Sequence, residues 1–142
     1  MAIQLVDYGT PEYKKLAQLR YQILRKPLRL EFTEEEAERD KNCTWIGCFE
    51  HGRAMGCCAL QKVNATTVQL RQMAVGKGTQ GKGIGRAIMS FAENIAADFG
   101  YKKIVMHARK AAQGFYERLG YKACGDEFTE VTIPHTMMEK RI

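Results

Sequence analysis

At 142 residues, 45% apolar and 27% charged, the chain has the size and balance of one globular domain over residues 1–142, and disordered or fibrous classes are excluded. No apolar run is long enough to span a bilayer, and the first residues lack the basic, apolar and small-residue order of a secretory leader, so a cytoplasmic protein is expected. The net charge is +6, and all of that excess falls in residues 71–110, where eight Lys and Arg meet only Glu93 and Asp98; a polyanion, whether nucleic acid or a phosphorylated small ligand, belongs near that segment.

Residues 3–8 alternate as an opening strand. Thr10 and Pro11 read as an N-cap and a first-turn proline. Leu16, Leu19 and Ile23, with Ala17 and Leu24, give the helix an apolar face, and Pro27 ends it at or before Lys26. Residues 34–39 form a short acidic surface helix. Residues 45–49 and 55–63 are strands joined at His51-Gly52, a hairpin signal. Cys57 and Cys58 are adjacent in a strand and so point to opposite faces. The five cysteines include no C-x-x-C pair, which favours reduced thiols over a disulfide framework or a zinc site.

Residues 67–75 are a further strand. After a glycine-rich turn, Ile84, Ile88, Phe91, Ile95 and Phe99 mark an amphipathic helix that stops at Gly100. Residues 103–107 are a short buried strand. Ala112, Phe115, Tyr116 and Leu119 mark another helix, and residues 121–124 and 136–140 are two last strands. The fold class is α+β: a mixed, mostly antiparallel sheet of six to seven strands flanked by about four helices.

The glycine-rich turn reads G-K-G-T-Q-G-K-G-I-G-R over residues 76–86. Glycines let backbone N–H groups approach phosphate oxygens, and a helix start adds a favourable dipole. A P-loop is excluded because Gly83 stands where Ser or Thr must hold magnesium. A dinucleotide fingerprint is disfavoured because the next strand ends His107-Ala108-Arg109, without a carboxylate for a ribose. What remains is Gln80-Gly81-Lys82-Gly83-Ile84-Gly85, similar to the Q/R-x-x-G-x-G/A signature of the GNAT acyltransferases. Residues 112–121, from Ala112 through Phe115 and Tyr116 to Gly120-Tyr121, resemble that family's A-x-x-F-Y-x-x-x-G-F/Y stretch. The two motifs are in register, and the element order agrees along the chain. Arg109 departs from the Asn found in many members.

The resemblance implies an N-acetyltransferase that uses acetyl-coenzyme A as co-substrate and no metal. It assigns backbone groups of Met73, Ala74 and Val75 to the pantetheine arm. It assigns Gln80, Gly81, Lys82, Gly83, Ile84, Gly85 and Arg86 to the diphosphate, with Ala112 and Phe115 alongside. Tyr116 is the implied general acid, although on pattern alone it is equally a packing aromatic. His107, Glu130 and His135 are candidates for the general base, directly or through water. Residues 125–135 resemble a G-x-x-F-x-E-x-G-I-P-H segment of one bacterial subgroup, with Thr132 in place of its glycine. Arg20 and Arg25 either shape an acceptor pocket or lie on the outer face of the first helix, the latter being favoured. Acidic residues 31–38 hint at a cationic acceptor, or form an ordinary exposed helix. The implied partner is an amine, on a small molecule or on a peptide or protein. No nucleic acid or membrane partner is expected, and a homodimer is compatible. A non-catalytic coenzyme A-binding module is the alternative.

Overall fold

The computed structural model describes residues 1–142. In chain order the elements are β1 (Ala2–Val6), α1 (Pro11–Arg20), α2 (Glu34–Asp40), β2 (Thr44–Glu50), β3 (Arg53–Lys62), β4 (Thr67–Val75), α3 (Ile84–Asp98), β5 (Lys103–Arg109), α4 (Gln113–Arg118), β6 (Lys122–Ala123), β7 (Phe128–Glu130) and β8 (Ile133–Arg141). The sheet runs β1-β2-β3-β4-β5-β8-β6, and β7 pairs with β8 off that path. Only the β4–β5 pairing is parallel. This is the expected α+β fold with four α-helices. It has eight strands rather than six or seven, because three-residue β7 is too short to leave an alternating pattern in the sequence.

Each face of the sheet carries its own core. On one, Ile84, Ile88, Met89, Ala92 and Ala96 of α3 pack on Ile46, Cys48, Cys58, Leu60 and Leu70. On the other, Tyr13 and Leu16 of α1 pack on Trp45, Cys57, Ala59 and Ala74. Cys58 and Cys57 thus do face opposite sides. The buried stripe of α3 is rotated from the expected one. Ala92 and Ala96 sit at its centre, while Phe99 is 56% exposed. Small side chains let the helix approach the sheet, so the bulkiest residues are pushed to the flank.

Turn chemistry sets the hairpins. His51 and Gly52 both have positive φ, the primed turn that matches strand twist. The β7–β8 hairpin turns at Val131 and Thr132, also at positive φ (45° and 68°). Both are β-branched, and that region is disfavoured for them by about 1–2 kcal/mol per residue. Thr132→Gly is therefore expected to raise unfolding stability by about 1 kcal/mol, after the glycine's extra chain entropy is subtracted. A higher urea midpoint at unchanged slope is the readout, and a lower one would show that the turn is not strained.

The winding after α1 differs from expectation. The α-helix stops at Arg20, Tyr21–Arg25 wind as a π-helix, and Lys26–Leu28 form a 3-10 turn that contains Pro27. Arg29, at φ 59°, ends it. Arg20 and Arg25 are both buried, not on an outer face. Arg20 pairs with Asp40, and Arg25 with Glu36 at 2.6 Å. Both guanidinium groups stack on the Phe32 ring, at 4.7 and 4.3 Å from its centroid. A regular α-helix would set positions five apart about 140° away from each other. The i→i+5 spacing of a π turn brings them toward one side.

Candidate active site

The site originates in a parting of strands. β4 and β5 pair from Thr67↔Lys103 to Leu70↔Met106 and no further, although β4 continues to Val75 and β5 to Arg109. Gln72 has φ 57° at the irregularity between Cys57 and Ala59 on β3, and that bulge bends β4 away. The parted strands leave the edge of residues 71–75 without a strand partner on the β5 side. Gln72 Oε1 is buried there without a hydrogen bond.

A cavity of about 300 Å³ occupies the gap. Its lining includes Met73, Met106, Ala112 and Tyr116 together with His107, Glu130 and His135. Tyr116 is 6% exposed and lies edge-on to Phe115 and Tyr121. Burial raises its pKa above the ordinary tyrosine value, and the Cys58 thiol adds to the shift, so the hydroxyl keeps its proton. Tyr121, five residues on, is already committed: its hydroxyl donates to Glu93 Oε2 at 2.9 Å.

His107 Nδ1 lies 3.0 Å from Glu130 Oε1, and His135 Nε2 lies 3.7 Å from Glu130 Oε2. His135 is 3% exposed, and its Nδ1 is 2.9 Å from the Ile133 carbonyl, which fixes Nδ1 as the protonated nitrogen. Phe128 stacks against His135 and meets His107 edge-on. The hairpin of β7 and β8 therefore delivers the whole Glu130 cluster to β5.

The glycine-rich loop forms a second feature, directly after β4. Gln80 Nε2 donates to the Val75 carbonyl at 3.2 Å, and Thr79 Oγ1 to the Gly76 carbonyl at 2.6 Å. These bonds pin the loop to the end of the strand. Gly78, Gly81 and Gly83 have φ near +81°, with open space where a side chain would stand. Gly83 caps α3 without any side-chain bond, so the first-turn amides of a fifteen-residue helix are open to a ligand. Gly85 is different: an added Cβ would press on Phe115 at 3.2 Å. The open cradle, the uncapped amides and nearby Lys77, Lys82 and Arg86 fit a diphosphate.

Not every expected contact residue offers a side chain. Ala74 and Ile84 are buried in opposite cores, so only their backbone atoms can serve a ligand. Arg109 donates to the Leu24 carbonyl at 2.8 Å and ties β5 to the π segment, in place of a free charge for the cofactor. The acidic helix is not a negative wall either. Glu34, Glu35 and Glu38 are exposed, and Asp40 is buried with Arg20. Glu36 lines the cavity but is paired with Arg25. Burial pushes its carboxyl up, yet the Thr33 amide and Arg25 outweigh that and hold it below the usual range.

Among the lining residues that the sequence did not mark as site residues are the polar Arg39, Arg71 and Thr33. Arg71 had a legible signal, the only charge in β4. No group of three or more His, Cys, Asp or Glu is arranged to hold a metal ion, and no helix is long and apolar enough to cross a membrane.

Comparison with known proteins agrees with this geometry. The acetyltransferase (GNAT) domain profile matches residues 10–142. The uncharacterized protein YyaT of Bacillus subtilis is 30% identical over 112 residues, which is 79% of this chain and 74% of that one. An aminoglycoside 6'-N-acetyltransferase crystallised with coenzyme A superposes with a TM-score of 0.82 at 18% identity, covering 99% of this chain and 97% of that one. A GNAT-family acetyltransferase of Elizabethkingia anophelis with acetyl-CoA bound gives 0.78 at 16% identity, with coverage of 99% and 97%.

Proposed function

This chain belongs to the acetyltransferase (GNAT) family, and we propose that, as a single domain, it moves an acetyl group from acetyl-coenzyme A to a primary amine by direct attack. The observation that carries this is the parted β4–β5 edge, which leads at one end into an uncapped glycine cradle and opens along its length on Tyr116 and the Glu130 cluster.

The amides of residues 81–86, with Lys82 and Arg86, hold the diphosphate. Backbone groups of residues 73–75 hold the pantetheine arm as an added strand does, between Ala112 and Phe115 on one side and the sheet on the other. The co-substrate supplies an activated acyl group as a thioester. An amide on the open β4 edge stabilises the negative charge that develops on the thioester oxygen. Tyr116 gives its proton to the sulfur as the carbon–sulfur bond breaks. His107, held through Nδ1 by Glu130, takes the amine proton on Nε2, directly or through water. His107 rather than His135 is the base because the His107 ring is partly open to solvent while His135 is almost fully buried. No cysteine or serine lines the cavity, which favours direct attack over a covalent acyl-enzyme.

The test is titration calorimetry with acetyl-coenzyme A, followed by a thiol-release screen over primary amines. Binding that weakens with added salt, together with thiol release on adding an acceptor, is the expected result. Glu130→Gln should lower kcat by on the order of 10²-fold while the chain still binds acetyl-coenzyme A. Absence of binding heat would overturn the reading. Firm binding with no thiol release from any amine would make the chain a coenzyme A-binding module instead.

A further inference from the structure

The charges around the cavity do not balance. Arg25, Arg39, Arg71 and Arg109 line it, against Glu36 and Glu130. Arg25 and Glu36 neutralise each other at 2.6 Å, and Glu130 is engaged by His107 at 3.0 Å. Arg109 is held by a carbonyl. Two guanidinium groups are left over. Arg39 has only Glu35, at 4.0 Å, with a carboxylate side chain that is 89% exposed. Arg71 has no ion pair and no hydrogen bond with any protein group, although it is half-buried.

Burial and the like charge of Arg39 both work against the Arg71 cation, and among the carboxylates only Glu130 and Glu36 act on it favourably. Both of those already have partners. A half-buried guanidinium without a dedicated anion is unfavourable unless something arriving from solution supplies one. The α3 cradle has its own basic residues for the diphosphate. Arg39 comes from α2, and its neighbour Cys43 packs with the core on the opposite face from α3. The unpaired cations therefore belong to the acceptor side.

Resting on the proposed acetyl transfer, the geometry points to an acceptor that is a small amine carrying an oxyanion, a carboxylate or a phosphate, seated on Arg71 and Arg39 with its amine directed to His107 and Glu130. A guanidinium binds either oxyanion through paired N–H donors. A cavity of about 300 Å³, shared with the acyl end of the donor, suits an amino-acid-sized molecule. The acidic segment after α1 had suggested a cationic acceptor. Glu36 is neutralised by Arg25 and Glu130 is held by the His107 ring, and with four guanidinium groups against two carboxylates the surplus is positive.

The experiment compares amines that differ only in the anion. Common L-amino acids are set against their C-terminal amides, phosphoethanolamine against ethanolamine, and spermidine represents polycations. The acids are expected to exceed the amides about tenfold or more in kcat/KM, mainly through KM. A matching preference for phosphoethanolamine over ethanolamine alone would identify the oxyanion as phosphate. Arg71→Gln and, separately, Arg39→Gln should raise KM for the anionic acceptor by about 10- to 100-fold and narrow that ratio, with Arg71→Lys recovering part of the loss. Arg39 is partly exposed on a helix, so its variant keeps the test informative should the Arg71 variants fold poorly. Equal turnover within both pairs, acids against amides and phosphoethanolamine against ethanolamine, or preference for spermidine, would overturn the inference and leave acetyl transfer standing. If acetyl-coenzyme A binds and no amine releases thiol, acetyl transfer itself fails. Calorimetry of N-acetyl amino acids and N-acetyl phosphoethanolamine on the coenzyme A complex then decides: binding lost in Arg71→Gln sustains the anion site, and no binding removes it.

Discussion

Tyr116→Phe is expected to lower kcat by on the order of 10²-fold or more, while KM for acetyl-coenzyme A stays within a few-fold of the parent. The substitution removes one oxygen and preserves the ring that packs against Phe115 and Tyr121. It therefore removes the proton donor without opening a cavity. Burial raises the pKa of this phenol above its ordinary value, so the neutral form is favoured further and the proton is retained through neutral pH. Loss of activity at alkaline pH should accordingly not begin below about pH 10 on account of this group. The effect should be largest with poor acceptors, for which departure of the thiolate limits the rate. Steady-state kinetics with thiol detection provide the measurement. Equal loss of kcat and of acetyl-coenzyme A binding would mean that Tyr116 only packs. Tyr121→Phe is the informative control, since that hydroxyl is bound to Glu93 and lies outside the cavity lining.

The second large effect concerns stability. Asp40→Ala should reduce unfolding free energy by about 3–5 kcal/mol. Asp40 is 5% exposed and accepts from both Tyr13, at 2.6 Å, and Arg20. Its backbone carbonyl accepts from Trp45 Nε1 at 3.0 Å. Without the carboxylate, Arg20 is a buried cation whose Nε and Nη1 already lack partners, and the Tyr13 hydroxyl loses its acceptor. Stacking of Arg20 on Phe32 and Trp45 compensates only in part. The double variant Arg20→Met, Asp40→Leu should recover most of the loss, because an apolar pair of similar volume needs no counter-charge. Urea unfolding of the parent, the single and the double variants measures this. A single-variant loss under about 1 kcal/mol would show that the pair is not desolvated as its burial implies.

Much of the architecture was legible because it follows from local rules. The Thr10 cap, the His51-Gly52 turn, the boundaries of residues 67–75 and the helix after the glycines are each set by residues close in sequence. The glycine loop was legible because a main-chain ligand cradle needs small residues at fixed spacing. The stripe of α3 was misplaced because hydrophobicity does not say how closely a helix lies on its sheet; Ala92 and Ala96 mark the close approach. The two tyrosines could not be told apart by pattern, since the difference is whether Glu93 lies within reach of the hydroxyl. The same holds for the histidines. His135 is separated from His107 by burial and by its bond to Ile133, both products of the β7–β8 hairpin.

For Arg20 and Arg25 the sequence left an acceptor pocket and an outer face open, with the solvated face favoured, and a change of pitch has no compositional signature. That change has a consequence for how such a protein diversifies. Were Tyr21–Arg25 to wind as a regular α-helix at unchanged length, the second guanidinium would turn about 140° from the first and away from Phe32. Glu36 would then be released from its ion pair and would present a naked carboxylate to incoming molecules. A change of pitch at this spot would thus alter the local electrostatic balance without replacing any side chain of the chamber, and selectivity here is a matter of backbone winding as much as of residue identity.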